Sequence, residues 1–449
     1  MGRLFGTDGA RGIANTEITS ELAMKIGRAT AMVLTENTSS KPKVLIGTDT
    51  RKSADMLSFA LASGLCSVGA DVLMTGVVPT PAIAFLVKEY GYDAGVMISA
   101  SHNPCEYNGI KIFQRTGYKL PDAMEEEIEA IILDEVRVPP VVIGGEVGKV
   151  TFAVNAVNDY INHVAKTADG NFSGMKIALD CANGSASVTA DTLFKKLGAE
   201  CVIINAEPDG TNINENCGST HIEALSEFVR KTGADAGFAF DGDADRLLAV
   251  DRNGNLVDGD MLMAIAVKYL GNKNRQGGKT LVTTVMSNMG LFKFCETNGI
   301  RCETTKVGDR YVLEKMLEKG YRIGGEQSGH LIFLDHATTG DGQLSAVQIL
   351  GIMRDTGKTL DDLASEIEIF PQVLENVKVS SFGKLRLHED EDIRLAVGKA
   401  EKELGDNGRV LVRASGTEPL VRVMLEGKDK KQIEKLCAMI ARIVEERLI

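Results

Sequence analysis

One pattern recurs three times along the chain and narrows what it can become. An apolar strand-like run leads into a helical stretch, then a second strand, more helix, and a third strand ending in polar or glycine-rich residues. The first copy reads KVLIGTDTR (43–51), GADVLMTGVVPTPA (69–82) and DAGVMISASHNP (93–104). The second reads KIALDCANG (176–184), GAECVIINAEPDG (198–210) and DAGFAFDGDADR (235–246); a fainter third has KTLVTTVMSN (279–288), NGIRCETTKVGDR (298–310) and YRIGGEQSGH (321–330). Short β-rich runs alternating with helical patterns are βαβ units, so each copy is expected to form a mostly parallel α/β layer covered by helices. Ligands bind beyond the carboxyl ends of strands in such sheets. SHNP, DGDADR and GEQSGH each close the third strand of their copy, which predicts one loop from each of three layers at a common cleft.

The flanks differ from the repeats. A helix from about Thr19 carries Leu22, Ile26 and Val33 at helical spacing behind a Thr/Ser cap. After Pro371 the pattern changes to NVKVSS, a charged helix (388–404), RVLVRASGTEPLVRVML (409–425) and a last helix with Ile433, Leu436, Ile440 and Ile443 on one face, which predicts a small α+β domain. A chain of 449 residues is too long for one core. The expected domains are 1–150, 151–253, 254–369 and 370–449, with linkers at 137–148, 251–260 and around Phe370–Pro371.

Charge and cysteine usage exclude several functions. A net charge of −12 opposes a nucleic-acid-binding face, so any basic site must be local. The eight cysteines include no CxxC pair, which speaks against a zinc site or a disulfide framework and fits a reducing cytosol. No signal peptide opens the chain and no apolar run reaches the roughly 18 residues of a membrane span, so a cytoplasmic protein without a membrane partner is expected.

Five stretches carry chemistry, and for the first four a plain polar turn, loop or hairpin is the alternative. In DGDADR, Asp241, Asp243 and Asp245 are too close to ionise together without a cation. An EF-hand is rejected because Arg246 and Arg252 stand at loop positions six and twelve. A Mg²⁺ site with positions left for a phosphate oxygen fits, and Arg246 could reach the same phosphate. In ISASHNPCEYNGIK, a Ser-His-Asp triad fits poorly, since neighbouring Ser101 and His102 rarely face each other as nucleophile and base. A serine that carries a phosphoryl group, with Lys111 supplying charge or a proton, fits better. GEQSGH offers Glu326, Ser328 and His330 at alternate positions for sugar hydroxyls. RASGTEPLVR combines Arg413, Ser415, Gly416, Thr417 and Arg422 into an anion nest. FGTDGARG is no Walker A loop and offers Arg11 as its phosphate contact.

The ordered set FGTDGARG, ISASHNP, NGIK, DGDADR, VGDR, GEQSGH and RASGTEP resembles the α-D-phosphohexomutase superfamily over essentially the whole chain. The resemblance implies three related mixed α/β layer domains plus a small C-terminal α+β phosphate-binding domain around a central cleft. It implies Ser101 as the phosphoserine, which with Asp241, Asp243 and Asp245 holds one Mg²⁺. Arg246, Arg11 and His102 would contact phosphate, and Lys111 and His330 are alternative candidates for proton transfer. Glu326 and Ser328 would hold sugar hydroxyls, Gly308 and Asp309 would border the sugar, and Arg413, Ser415, Gly416, Thr417 and Arg422 would bind the phosphate that is not reacting. TDG near the start and Gln327 are similar to superfamily members acting on amino sugars, while Tyr107 and Ala244 depart from them.

The implied activity is an intramolecular phosphotransfer between glucosamine 6-phosphate and glucosamine 1-phosphate, through glucosamine 1,6-bisphosphate, feeding UDP-N-acetylglucosamine and cell-wall precursors. A mutase for neutral hexose phosphates and a phosphosugar-binding regulator without chemistry are the alternatives. The partner is then a small sugar phosphate, and a homodimer stays open.

Overall fold

The computed structural model describes residues 3–6, 8–35, 41–271, 279–415 and 419–449. Two compact units divide the chain: Met1–Val285 with Ile300–Ser365, and Met286–Gly299 with Glu366–Ile449.

The first unit contains three sheets. The first is built from β1 (Ala10–Ile13), β2 (Lys43–Thr48), β3 (Asp71–Val77), β4 (Ala94–Ile98), β5 (Tyr107–Gln114) and β6 (Val150–Phe152), in the order β1-β5-β4-β2-β3-β6. The second comprises β7 (Lys176–Asp180), β8 (Glu200–Ile204), β9 (Ala236–Phe240), β10 (Leu247–Asp251) and β11 (Leu256–Val257), in the order β11-β10-β9-β7-β8. The third comprises β12 (Thr280–Thr284), β13 (Arg301–Thr305), β14 (Ile323–Gly325) and β15 (Leu331–Phe333), in the order β13-β12-β14-β15.

The same arrangement underlies all three. The first strand of each copy lies between the second and third and runs parallel to both: β2 between β3 and β4, β7 between β8 and β9, β12 between β13 and β14. A fourth strand (β5, β10 or β15) then returns antiparallel beside the third. The expected mixed α/β layer thus has a parallel three-strand centre with an antiparallel strand beside it. The fourth strands begin within or just after the polar loops, as short runs that no helix separates from the third strand. Each of SHNP, DGDADR and GEQSGH thus joins the third strand to an antiparallel neighbour, at equivalent places in three sheets.

Burial follows from the helical cover. Every residue of β4, β9 and β12 is buried, as expected for strands packed on both faces. Helix Ser53–Ser67 turns Ala54, Leu57, Leu61 and Leu65 inward at helical spacing. Helix Ser20–Thr35 buries Ile26 and Val33, and the Thr19 hydroxyl accepts from the Leu22 N–H at 3.1 Å, as its cap. These two helices meet at backbone distance: a Cβ on Gly64 would lie 2.2 Å from the Met24 carbonyl oxygen. The stretch 251–260 is an ordered hairpin turn leading into the next helix. Asp251 accepts from the N–H groups of Asn253 and Asn255, β10 pairs with β11, and Asp258 caps helix Gly259–Leu270.

In the second unit, β16 (Gln372–Lys378), β17 (Gly408–Ala414) and β18 (Leu420–Gly427) form an antiparallel sheet in the order β16-β18-β17. Helices Glu391–Leu404 and Lys430–Leu448 start at the aspartate caps Asp390 and Asp429 and share one core, with Ile393, Leu404, Ile433, Leu436 and Ile440 buried. Buried Glu426 accepts from Arg409 Nε at 2.6 Å, the Met289 N–H at 2.9 Å and Gln372 Nε2 at 3.0 Å, fastening three segments of the unit. Among the described residues no helix is long and apolar enough to cross a membrane.

Candidate active site

Ser101 sits just past β4 with φ at 53°, a left-handed conformation that a non-glycine residue adopts only where its surroundings enforce it. Arg51 supplies much of that enforcement. Its fully buried guanidinium donates to the carbonyls of Ser101 (3.0 Å), Asn103 (2.7 Å) and Tyr107 (3.0 Å), to that of Pro104, and to Asp49 Oδ2 at 2.8 Å. Asp49 Oδ2 also accepts from the Ser99 hydroxyl at 2.6 Å, whose oxygen in turn accepts from the Ser101 N–H at 3.0 Å. Asn214 adds bonds to the Ser101 and Asn103 carbonyls at 2.9 and 3.0 Å. The sequence reading passed over Arg51 and Asn214. GTDTR at the carboxyl end of a first strand was the available signal, since ligands gather beyond the carboxyl ends of strands in such sheets.

DGDADR turns back after β9, with Ala244 also left-handed at φ 56°. Asp241, Asp243 and Asp245 are buried, and one carboxylate oxygen from each lies within 4.8 Å of the others. The Ser101 hydroxyl donates to Asp241 Oδ2 at 2.6 Å. Asp243 Oδ2 accepts from the Thr80 hydroxyl at 2.5 Å and from Lys111 Nζ at 2.7 Å. The other oxygens, Asp243 Oδ1 and Asp245 Oδ1, are buried without a hydrogen-bond partner. Burial, then the charges of Asp245 and Asp243, push the Asp241 carboxyl up to about 8. Burial opposes ionisation of Asp245 too, but Lys111, His330 and Arg246 hold it well below the usual carboxylate range. Orphaned hard oxygens and crowded like charges are what a divalent cation would satisfy, so these residues fit Mg²⁺.

Cationic and imidazole groups surround the triad. Arg246 Nη1 lies 2.9 Å from His102 Nδ1, and since a guanidinium only donates, that nitrogen is the acceptor. Burial, then the charges of Arg246 and Arg11, lower His102 to about 4. Its Nδ1 is 3.4 Å from the Ser101 hydroxyl. Arg11 pairs with Asp8, whose Oδ2 is 3.1 Å from Lys111 Nζ. Burial works against the charge on Lys111, but Asp243, Asp8 and Asp245 outweigh it and keep the ammonium. His330 Nε2 accepts from the Gly340 N–H at 3.0 Å, which leaves Nδ1 to carry the proton toward Asp245 Oδ2 at 3.8 Å. Gly340 must be small here, because a Cβ would come 2.6 Å from the imidazole.

The third loop lies beside them. Glu326 Oε1 accepts from the Gly308 N–H at 3.1 Å, and burial raises its carboxyl while the charge of His330 draws it back. Gly308 caps helix Asp309–Lys319, and Asp309 Oδ2 is 3.6 Å from His330 Nε2. Ser328 is exposed. Gln327, read as a mark of amino-sugar preference, donates its amide to Asp258 Oδ2 at 3.3 Å and so ties the loop to the N-terminus of helix Gly259–Leu270.

The second unit carries RASGTEP. Strand register sets Arg413 opposite Arg422, and Arg413 Nε is buried without a hydrogen-bond partner. Burial, then the facing Arg422 charge, lower Arg413 from its ordinary value, so an anion between them would relieve both. The Ser415 N–H closes the hairpin on Leu420 O at 2.8 Å; Gly416 and Thr417 lie outside the described residues.

A serine hydroxyl and a carboxylate triad on equivalent loops of repeated α/β sheets, with Arg11, Lys111 and Arg246 around them, define a phosphoryl-transfer enzyme. The chain belongs to the phosphoglucomutase/phosphomannomutase family: its alpha/beta/alpha domain I matches residues 2–137, domain II 158–254, domain III 258–370 and the C-terminal domain 374–443. The chain is 56% identical over 448 residues to a phosphoglucosamine mutase of Ruminiclostridium cellulolyticum, spanning 100% of both chains. It is 55% identical over 453 residues to that of Caldicellulosiruptor bescii, again at 100% of each. Its fold matches a phosphoglucomutase/phosphomannomutase family protein of Burkholderia thailandensis with a TM-score of 0.83 at 23% identity, covering 100% of this chain and 99% of that one.

Proposed function

We infer that the protein interconverts glucosamine 6-phosphate and glucosamine 1-phosphate, as the names of its full-length relatives imply. The observation that carries the chemistry is the buried Ser101 hydroxyl, 2.6 Å from Asp241 in a strained, fully braced turn. In the forward half-reaction a sugar hydroxyl oxygen attacks the phosphorus of phospho-Ser101; the Ser101 Oγ–P bond breaks and the hydroxyl proton leaves. The bisphosphate then turns over, and Ser101 Oγ takes the other phosphoryl group. A divalent cation held by Asp241, Asp243 and Asp245, with an oxygen of the Ser101 phosphate, would supply charge neutralisation to the group in flight.

The chain's own groups do the rest. Lys111, as ammonium, and Arg246 and Arg11 face the transferring phosphoryl group, while neutral His102 steadies Arg246 beside Ser101. The hydroxyl proton passes to His330 at Nε2, in place of the Gly340 N–H, or to Lys111 as that ammonium gives one of its own protons to Asp8 Oδ2, 3.1 Å away. Glu326 and Ser328 take sugar hydroxyls beside Gly308 and Asp309, and the Arg413–Arg422 pair, with Ser415, Gly416 and Thr417, takes the phosphate that is not reacting. In this reading the parts divide as 1–150, 151–253, 254–369 and 370–449, the intermediate is glucosamine 1,6-bisphosphate, and the protein works in the cytoplasm on a small sugar phosphate. Exclusion of water preserves the phosphoserine.

The test compares kcat/KM of the phosphorylated, Mg²⁺-loaded protein on glucosamine 6-phosphate, glucose 1-phosphate and mannose 1-phosphate. Preference for the amino sugar is expected. Preference for a neutral hexose overturns the substrate, and no turnover on any of them overturns the mutase reading.

A further inference from the structure

Lys119 belongs to none of the motifs, yet it reaches the centre of the site. Its Nζ lies 2.5 Å from Asp8 Oδ1 and 2.5 Å from Asp309 Oδ2, and its side chain is 12% exposed. The contacts continue on both sides. Asp8 Oδ2 is 3.1 Å from Lys111 Nζ and pairs with Arg11; Asp309 Oδ2 is 3.6 Å from His330 Nε2. His330 Nδ1 is 3.8 Å and Lys111 Nζ 3.6 Å from the same oxygen, Asp245 Oδ2. Lys111, Asp8, Lys119, Asp309, His330 and Asp245 therefore close a ring in which each carboxylate stands between two nitrogen groups.

We propose that Lys119 is a positioning residue for the phosphoryl transfer, its ammonium fastening Asp8, and through it Arg11 and Lys111, to Asp309 beside the sugar loop. This rests on the mutase reading above. Without the ammonium, two largely buried carboxylates would face each other with nothing between them, and their repulsion would move both away from the groups they hold. Arg11 and Lys111 would then be misaimed, and a displacement of about 1 Å is enough to cost about a hundredfold in rate.

The fold does not depend on this contact alone. Arg310, the next residue after Asp309, donates to the Leu120 carbonyl at 2.5 Å and to Glu125 at 3.2 Å, and pairs with Asp122. That second link keeps the segments of Lys119 and Asp309 together when the lysine is changed. A cavity of about 220 Å³, lined among others by Tyr118, Lys119, Asp309 and His330, gives a small molecule room to reach the vacated position.

The experiment uses K119A and K119M in the full chain, assayed on glucosamine 6-phosphate with and without propylammonium, and with 1-butanol as the uncharged control. Both variants are expected to stay folded through the Arg310 contacts at a lowered unfolding midpoint, and below it to lose between about ten- and a hundredfold in kcat, with a smaller change in KM because Glu326 and Ser328 still hold the sugar. Propylammonium is expected to restore much of the K119A rate and butanol none. An active parent with K119A and K119M at parental kcat, or equal rescue by butanol, overturns the Lys119 assignment alone. A parent without turnover on any sugar phosphate overturns the mutase reading and this role with it.

Discussion

Ser101 and Asp241 are 140 residues apart in the chain, yet the Ser101 hydroxyl donates to the Asp241 carboxylate across 2.6 Å. The contact joins the first layer's loop to the second layer's acidic turn. S101A removes only the Oγ atom, and alanine meets the same backbone strain as serine, so the fold should persist. Turnover is expected to fall by at least about a thousandfold, together with loss of the phosphoprotein signal in intact-mass measurement. Mutase activity in S101A above that level would refute the phosphoserine.

Arg51 should matter to stability as much as to rate. R51M strands Asp49 and several carbonyls in the interior, and breaking a buried pair costs about 3–5 kcal/mol. The chemical-denaturation transition of the first unit should move down accordingly, with kcat falling as the Ser101 turn relaxes. R51K, which keeps one charge but not the planar fork, should fall between.

Gly340 gives a sharper test of His330. In G340A the added methyl would sit 2.6 Å from the imidazole, so the ring must leave its place between Asp245 and Asp309. The expected result is a loss of roughly tenfold or more in kcat, with a small change in unfolding midpoint. Full activity would show that the ring's position is not needed.

Metal removal should be reversible. Chelation is expected to abolish turnover, and Mg²⁺ to restore it. Because only the folded triad binds, Mg²⁺ at about 100 times its Kd should add about 2.7 kcal/mol to stability. D243N should remove most of that increment in a thermal-shift titration. An increment of parental size in D243N would place the metal elsewhere.

Glu129 predicts an acid limit. Its carboxylate accepts the N–H groups of Phe5, Leu4 and Arg3 at 2.7, 2.7 and 2.9 Å; burial resists its charge, but these bonds outweigh burial and lower its pKa from 4.5. A lowered acid stabilises the fold above its unfolded value near 4.5 and loses that contribution as pH falls through the folded value. E129Q turns an amide donor toward a backbone N–H, so it should destabilise by about 1–2 kcal/mol at neutral pH. Unfolding curves of parent and variant should converge as pH falls below 4.5. A gap that stays constant with pH would refute the role of the charge.

What the sequence by itself determined is local. Strand and helix periodicity marked the repeats, the Thr19 cap and the last helix. The same alternation placed Ser101, the three aspartates and GEQSGH at equivalent strand ends, and the ordered motifs pointed to the family. The returning strands, Arg51, Thr80 and Lys119 escaped. Their roles rest on partners that no periodicity links: Thr80 meets Asp243 across 163 residues, and Lys119 meets Asp309 across 190. A threonine opening a helix or a lysine in a β-bridge reads the same in sequence whether it faces water or a buried carboxylate. Only the packing of one layer's strand ends against another's decides which, because hydrogen bonding and charge act over a few ångströms of space, whatever the length of chain between.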